Sequence, residues 1–271
     1  MTSLLAVFGN PVAHSRSPEI HEAFARQFGL SVSYTRIEAP LDAFRDSVRA
    51  FVARGAVGFN VTVPFKYEAF ALADETTPAA LASGTVNTMH VVDGRLVGSN
   101  TDGAGLVADL ERNLGWVLEG RRILIVGAGG AVAGVLPSLS ERQPASIDIM
   151  NRTHARAVEL AERFGVRAVT ASSAEAAYDL VISGSSAGLT LDGIDLPAHP
   201  IGEQTRCYDM IYSAGETAFN RWARARGAGA TSDGLGMLVE QAAAAFNIWF
   251  DVSPDTGPVI ERIRQSLGEN Q

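Results

Sequence analysis

A single cysteine, Cys207, stands among the 271 residues. No internal disulfide can form and no thiolate zinc site can be assembled, so a cytosolic setting is expected. Basic residues are scarce as well: 22 Lys and Arg against 30 Asp and Glu leave a formal charge of −8. Such a chain repels phosphate backbones and anionic lipid, and neither a nucleic acid nor a membrane partner is expected. Charged residues make up only 19% of the chain and apolar ones 46%, the reverse of a disordered composition. Long apolar runs are missing too. The longest uncharged stretch, Ile123 to Ser140, is broken by Gly127, Gly129, Gly130, Gly134 and Pro137, which excludes a simple membrane span. The apolar start, Met1 to Asn10, has no basic residue before it and reads as a buried strand, not a signal peptide. His14 and His21 have no carboxylate or third histidine at metal spacing beside them, so both read as packing or capping residues and no metal is expected.

What is present is an alternation of short Val- and Ile-rich runs with longer segments of helical period, the pattern of a parallel sheet covered by helices. The length corresponds to about two domains at ~150 residues each. In the first hundred residues strands are predicted near Leu4 to Gly9, Val32 to Glu38, Gly58 to Val63 and Asn87 to Val92. Helices are predicted near Pro18 to Phe28, Leu41 to Ala53, Lys66 to Ala73 and Gly103 to Asn113, and Asp93-Gly94 signals a hairpin. A second unit opens with the strand Ile123 to Val126 and runs through a helix to about Ser140, a strand Ser146 to Met150, a helix His154 to Phe164 and a strand Asp179 to Ser183. That is βαβαβ. Helices over Gly236 to Phe250 and Pro258 to Leu267 close the chain.

Gly127-Ala128-Gly129-Gly130-Ala131 follows a buried strand and opens a helix, where small residues let a pyrophosphate approach free backbone N–H groups. Val132 occupies the last position of the G-x-G-x-x-G template, so the turn is a variant. The next strand ends in Asn151-Arg152-Thr153 and carries no acid for a ribose hydroxyl. Arg152, and Arg156 one helical turn on, suit a 2′-phosphate, so NADP is favoured over NAD. The plainer alternative, a solvated helix start, is weakened because positive charge is unfavourable at a helix N-terminus.

Three polar clusters mark the first unit. Ser15 and Ser17 lie between a strand and a helix, where they can grip a carboxylate, although Ser17 before Pro18 equally suits an N-cap. Asn60 and Thr62 alternate with Phe59, Val61 and Val63 and so project from one strand face, with Lys66 just beyond Pro64. Asn87 closes the run Gly84 to Thr88, and Asp102 sits at a loop-to-helix junction where N-capping is again the alternative.

With Tyr208-Asp209-Met210-Ile211-Tyr212 and Asp233-Gly234-Leu235-Gly236-Met237-Leu238 through Gln241, these motifs, in this order, resemble the shikimate dehydrogenase family from end to end. The resemblance implies an α/β fold: an N-terminal substrate domain, a Rossmann dinucleotide-binding domain, and C-terminal helices returning to the first domain. On that basis residues 1–101 and 237–271 form the substrate domain and residues 102–236 the NADP domain. It implies NADP-dependent interconversion of 3-dehydroshikimate and shikimate, a step of aromatic amino acid biosynthesis, by a monomer or homodimer. Ser15 and Ser17 are then expected to hold the substrate carboxylate with Tyr212, and Asn60, Thr62, Asn87, Asp102 and Gln241 the ring hydroxyls. Lys66 is expected to donate and accept the catalytic proton beside Asp102, while Met210 and Gly234 line the nicotinamide side.

The chain departs from the family at Thr85 (usually Ala), Ser99 (often Asp), Ser183 and Ser185 (often Asn and Thr) and Ala218 (often Pro). A β-branched Thr85 near Asn87 is expected to reshape the substrate floor. Two further readings stay open: a paralogue preferring quinate, which adds little more than a hydroxyl, and a non-catalytic shikimate-binding sensor on the same fold.

Overall fold

A computed structural model describes residues 2–174, 177–184 and 201–269; Ser185 lies outside them. The chain divides into two compact units, Met1–Gly105 with Val239–Ile263, and Leu106–Leu238 with Arg264–Gln271.

The first unit contains β1 (Ser3–Gly9), α1 (Ser17–Gln27), β2 (Val32–Glu38), α2 (Phe44–Val52), β3 (Ala56–Val61), α3 (Lys66–Leu72), β4 (Glu75–Thr76), α4 (Pro78–Ser83), β5 (Thr88–Val92) and β6 (Arg95–Ser99). Its sheet runs β2-β1-β3-β5-β6-β4. β1 is parallel to β2 and β3, while β5 runs antiparallel to β3 and, across the Asp93-Gly94 turn, to β6. Alternation along β1 sends Phe8 to one face, where it meets Phe44, Phe51 and Phe59 edge-on at 6.0, 5.7 and 5.1 Å. Leu5 and Val7 point the other way, into a cluster with Ala245 and Trp249.

At the boundary comes α5 (Asp102–Ala108), and the second unit continues with a π-helical turn (Asp109–Asn113), β7 (Arg122–Val126), α6 (Gly130–Ser140), β8 (Ser146–Met150), α7 (His154–Phe164), β9 (Arg167–Ala168), β10 (Leu180–Ser183), β11 (Arg206–Asp209), α8 (Ala218–Ala225) and β12 (Ala230–Asp233); most of α9 (Leu235–Phe250) and the first half of α10 (Gly257–Gly268) group with the first unit. The described strands pair in the order β12-β11-β10-β7-β8-β9, every pair parallel. This is the doubly wound dinucleotide-binding order, with the reversal between β7 and β10. Ile123 and Ile125 of β7 enter one core cluster while Leu124 and Val126 enter another, as a strand covered on both faces requires.

Several sequence expectations are corrected. The helix predicted from Leu41 starts at Phe44, since Leu41 and its neighbours form an exposed turn. The single helix predicted to Asn113 widens into the π-helical turn, which brings the buried Asp109 within 2.6 Å of the Tyr208 hydroxyl. Asp102 groups with the first unit, not the second, because its carboxylate is bound to Lys66 and Asn87. Met237 joins the core of the second unit, and Arg264 pairs with Asp233 there, so neither belongs with the first. No helix among the described residues is long and apolar enough to cross a membrane.

Candidate active site

In the first unit the expected substrate residues gather at one end of the sheet. β1 ends at Gly9 and the chain turns through Ser15 into α1. Ser15 Oγ donates to Ser17 Oγ at 3.1 Å and accepts the Ser17 N–H at 3.3 Å. Ser17 does not cap α1: the helix begins at Ser17 itself, and no side chain caps it. The local cap-like bond belongs to Ser15. His14 is exposed, whereas His21 is fully buried.

β3 ends at Val61, so Thr62 lies just past the strand and not on its face; its N–H donates to Phe8 O at 2.8 Å. The turn through Pro64 then starts α3 at Lys66, whose side chain is 11% exposed and reaches Asp102 Oδ2 at 2.5 Å. Asp102 opens α5, yet its carboxylate is spent on Lys66 and on Asn87 Nδ2, which donates to Oδ1 at 2.8 Å. Capping is therefore not its role. The backbone N–H of Asp102 donates instead to Asn100 Oδ1 at 2.9 Å. Asn87 is held from other sides as well: its Oδ1 accepts the Thr101 N–H at 2.8 Å and the Thr88 hydroxyl at 2.9 Å, and its Nδ2 also faces Thr101 Oγ1 at 2.9 Å and Gln241 Oε1 of α9 at 3.3 Å. A buried ammonium and carboxylate are tolerable only when paired and further hydrogen-bonded, and this pair is both.

Thr85 lies inside the first unit. It is fully buried, and its hydroxyl donates to Ser83 Oγ at 3.1 Å and accepts from Asn100 Nδ2 at 2.8 Å. It thereby braces the residue that holds the Asp102 backbone. Asn60 also has both ends of its amide engaged, with Tyr34, Thr88 and the Asn87 carbonyl.

In the second unit Gly127 follows β7 and donates its N–H to Met150 O at 2.7 Å. Gly129 is exposed, Ala128, Gly130 and Ala131 are half-buried, and α6 starts at Gly130 with no side-chain cap. A Cβ on Gly129 would meet nothing within 4 Å, so the turn leaves space and free N–H groups for a phosphate. After β8, Asn151 Nδ2 closes on Thr153 O at 2.9 Å, which shapes the loop. Arg152 and Arg156 are exposed, and neither guanidinium has a partner among the described residues. Open N–H groups and two unpaired cations fit a dinucleotide bearing a 2′-phosphate.

Met210 and Tyr212 follow β11 and Gly234 follows β12. A Cβ on Gly234 would sit 2.3 Å from Met210 O, so only glycine allows the two loops this approach. Asp209 Oδ1 accepts the Ile211 N–H at 3.2 Å, and burial raises its carboxyl pKa against the opposing hydrogen bonds of Thr217, Ile211 and Ser183. Arg264 of α10 grips Asp233 with both amino groups, at 2.7 and 2.5 Å, and donates to Ser213 O at 3.2 Å. One guanidinium thus ties the Tyr212 loop to the Gly234 loop. Ala218 occupies the first turn of α8 after the Thr217 cap, a position that takes Ala as readily as Pro. Among the described residues no group of three or more His, Cys, Asp or Glu is placed to hold a metal ion.

Sequence reasoning passed over Tyr34, Thr88, Asn100, Thr101 and Arg264. Asn100 and Thr101 adjoin a residue already singled out, Asp102, and their run of polar side chains was the available signal. Tyr34 and Arg264 had none, since each acts on residues far away in sequence.

A six-stranded parallel order with a glycine turn at its switch point defines a Rossmann-type dinucleotide-binding protein, here joined to a unit carrying a buried Lys–Asp pair. Comparison with known proteins narrows this. Residues 7–89 match the model of the shikimate dehydrogenase substrate binding domain, 109–192 that of shikimate/quinate 5-dehydrogenase, and 234–264 that of the shikimate 5′-dehydrogenase C-terminal domain. Shikimate dehydrogenase (NADP(+)) of Alkalilimnicola ehrlichii is 50% identical over 97% of this chain and 99% of its own. That of Hahella chejuensis is 51% identical over 97% and 98%. Shikimate 5-dehydrogenase of Thermus thermophilus, solved in complex with NADP(H) and shikimate, superposes with a TM-score of 0.88 at 37% identity, covering 98% of this chain and 100% of that one. The chain belongs to the shikimate dehydrogenase family.

Proposed function

We propose that the protein interconverts 3-dehydroshikimate and shikimate with NADP as redox partner, the first unit holding the substrate and the second the cofactor. The observation that carries this reading is Lys66, a buried ammonium aligned by Asp102 at 2.5 Å, in a chain of this family. Ser15 and Ser17, with Tyr212, take the carboxylate; Thr62, Asn87, Asp102 and Gln241 take the ring hydroxyls. The Gly127–Ala131 turn takes the pyrophosphate, Arg152 and Arg156 with Asn151 and Thr153 take the 2′-phosphate, and Met210 and Gly234 flank the nicotinamide.

The bound cofactor supplies or accepts the hydride. Reduction of the carbonyl leaves an alkoxide oxygen, and Lys66 Nζ delivers the proton that neutralises it; in the reverse direction Nζ removes the hydroxyl proton. Such positioned proton transfer contributes ~10²- to 10⁴-fold. Asp102 keeps Nζ in place through Oδ2 while Asn87 holds Oδ1, so the carboxylate cannot rotate away. Asn100, braced by Thr85, fixes the backbone beneath it.

A cytosolic setting is supported by the lone Cys207, buried and with its thiol pushed up to about 12 by that burial, where it is inert. A spectrophotometric assay with shikimate and quinate against NADP and NAD tests the reading. Fast NADP reduction with shikimate is expected. Shikimate binding without any absorbance change makes the protein a sensor, and faster turnover of quinate makes it the paralogue.

A further inference from the structure

The polar side chains of the first unit form a directed chain of hydrogen bonds, and its head is a residue with no assigned role. Tyr34 of β2, 5% exposed, lies flat on His21 of α1, with ring centroids 4.6 Å apart and planes at 7°. Phe24, Phe246 and Trp249 close around His21. Neither imidazole nitrogen completes a hydrogen bond, and burial lowers its pKa to about 3, outweighing the Asn60 amide that favours the charged form. His21 is thus a neutral plate at working pH. It fixes the plane of the phenol and leaves the hydroxyl to partners at the ring's edge.

The hydrogen-bond partner there is Asn60, whose Oδ1 accepts the phenol proton at 2.7 Å. Burial raises the phenol pKa well above 10, against the lowering effects of Ser17 and Arg36, so the hydroxyl remains a donor. The rest follows from which atoms can donate. A carboxamide has an acceptor end and a donor end. With Oδ1 turned to Tyr34, Asn60 must present Nδ2 to Thr88 Oγ1, at 3.0 Å, and to the Asn87 carbonyl, at 3.2 Å. Thr88, accepting there, has its shorter acceptor contact at Asn87 Oδ1, 2.9 Å, with Thr101 Oγ1 at 3.3 Å. Asn87 then points Nδ2 at Asp102 Oδ1, and Asp102 Oδ2 meets Lys66. Each link agrees in direction with the next, as in a cooperative buried network, and the Thr101 N–H on Asn87 Oδ1 supports the same orientation of that amide.

We propose that Tyr34 is a positioning residue for the Lys66–Asp102 pair, its hydroxyl setting the orientation of Asn60 and, through Thr88 and Asn87, that of the carboxylate aligning Lys66. Asn60 is a link in this relay, not a ligand of the substrate ring. The inference rests on the activity proposed above.

Tyr34→Phe removes the hydroxyl and keeps the stack on His21, and Thr88→Val cuts the relay farther on. Each is expected to lower kcat for shikimate oxidation by about 3- to 10-fold, the effect of one buried hydrogen bond, with NADP affinity unchanged. The double variant is expected to be no slower than the slower single variant, because both cut one chain. A merely structural hydroxyl would lower the melting temperature and leave kcat alone. Unchanged kcat in Tyr34→Phe, or a double variant whose loss is the product of the two singles, overturns the relay. Wild-type turnover tests the activity separately, and a crystal structure of Tyr34→Phe reads the relay without it. There the Asn60 amide should turn from its present position, and an undisturbed Asn60–Thr88–Asn87 set contradicts the proposal.

Discussion

Lys66 and Arg152 are both cations assigned to a ligand, but the two units keep them in opposite ways. The Lys66 side chain is 11% exposed and bound to Asp102, which is itself bound to Asn87. Arg152 is exposed, stands before an uncapped helix and has no partner among the described residues. The difference follows from what each has to do. Proton transfer depends on placement to a fraction of an ångström, so its group is held before any ligand arrives, and a buried charge needs a partner in any case. Phosphate recognition depends on charge and on donors facing water, so those groups stay free until the anion supplies their partner. Around Lys66 the side chains restrain one another, whereas around the glycine turn and Arg152 backbone and cations are left open.

The sharpest way to break this contrast is to remove Lys66. Lys66→Ala is expected to lower turnover by ~10²- to 10⁴-fold with NADP affinity nearly unchanged, measured by steady-state kinetics beside a cofactor titration. It also leaves the Asp102 carboxylate buried without its cation, and a fall in stability of ~3 to 5 kcal/mol should appear in a denaturant melt. Retention of more than half the activity removes Lys66 from the mechanism.

Arg152→Ala is the mirror case. Loss of a charged contact of ~1.5 to 3 kcal/mol lowers NADP affinity by ~10- to 200-fold and leaves NAD affinity and the melting temperature close to wild type. Equal losses for the two cofactors contradict the assignment to the 2′-phosphate.

The smallest effect concerns stability at low pH. His21 has its pKa lowered from 6.5 to about 3 by burial in the first unit. Below pH 6.5 the unfolded chain takes up a proton that the folded one refuses, so stability declines as pH falls from 6.5 toward 3. The sum from this residue alone is about 2 kcal/mol between about pH 7 and pH 5. His21→Phe should remove that part of the decline, and identical slopes of stability against pH in the two proteins would show that His21 is not held neutral.

The division between units also governs what was legible in the sequence. From β7 through the glycine turn to α7, every step carried a local signal: an all-apolar strand, small residues in the turn, a helical period. The elements on that side were therefore readable in order, with Arg152 standing between β8 and α7. β12, with Ala, Thr, Ser and Asp, has no apolar run to find, and β11 is only four residues long. α4 is short, although Thr77 capping the Ala80 N–H and a left-handed Gly84 were both available as its start and stop marks. On the substrate side the residue types were visible but their partners were not. Nothing near Tyr34 in sequence announces Asn60, 26 residues on, and nothing near Asp233 announces Arg264. Thr85 stood out as unusual, yet only the fold shows its hydroxyl bonded to Asn100.

The division of labour is tested most directly by a crossed measurement: Michaelis constants for shikimate and for NADP in Ser15→Ala and Arg152→Ala, side by side with the wild type. Ser15→Ala should raise the constant for shikimate by ~10-fold or more, the effect of one hydroxyl donating to a charged group, and leave that for NADP unchanged; Arg152→Ala should do the reverse. Ser15→Ala with unaltered shikimate kinetics, or either variant raising both constants together, would contradict the account.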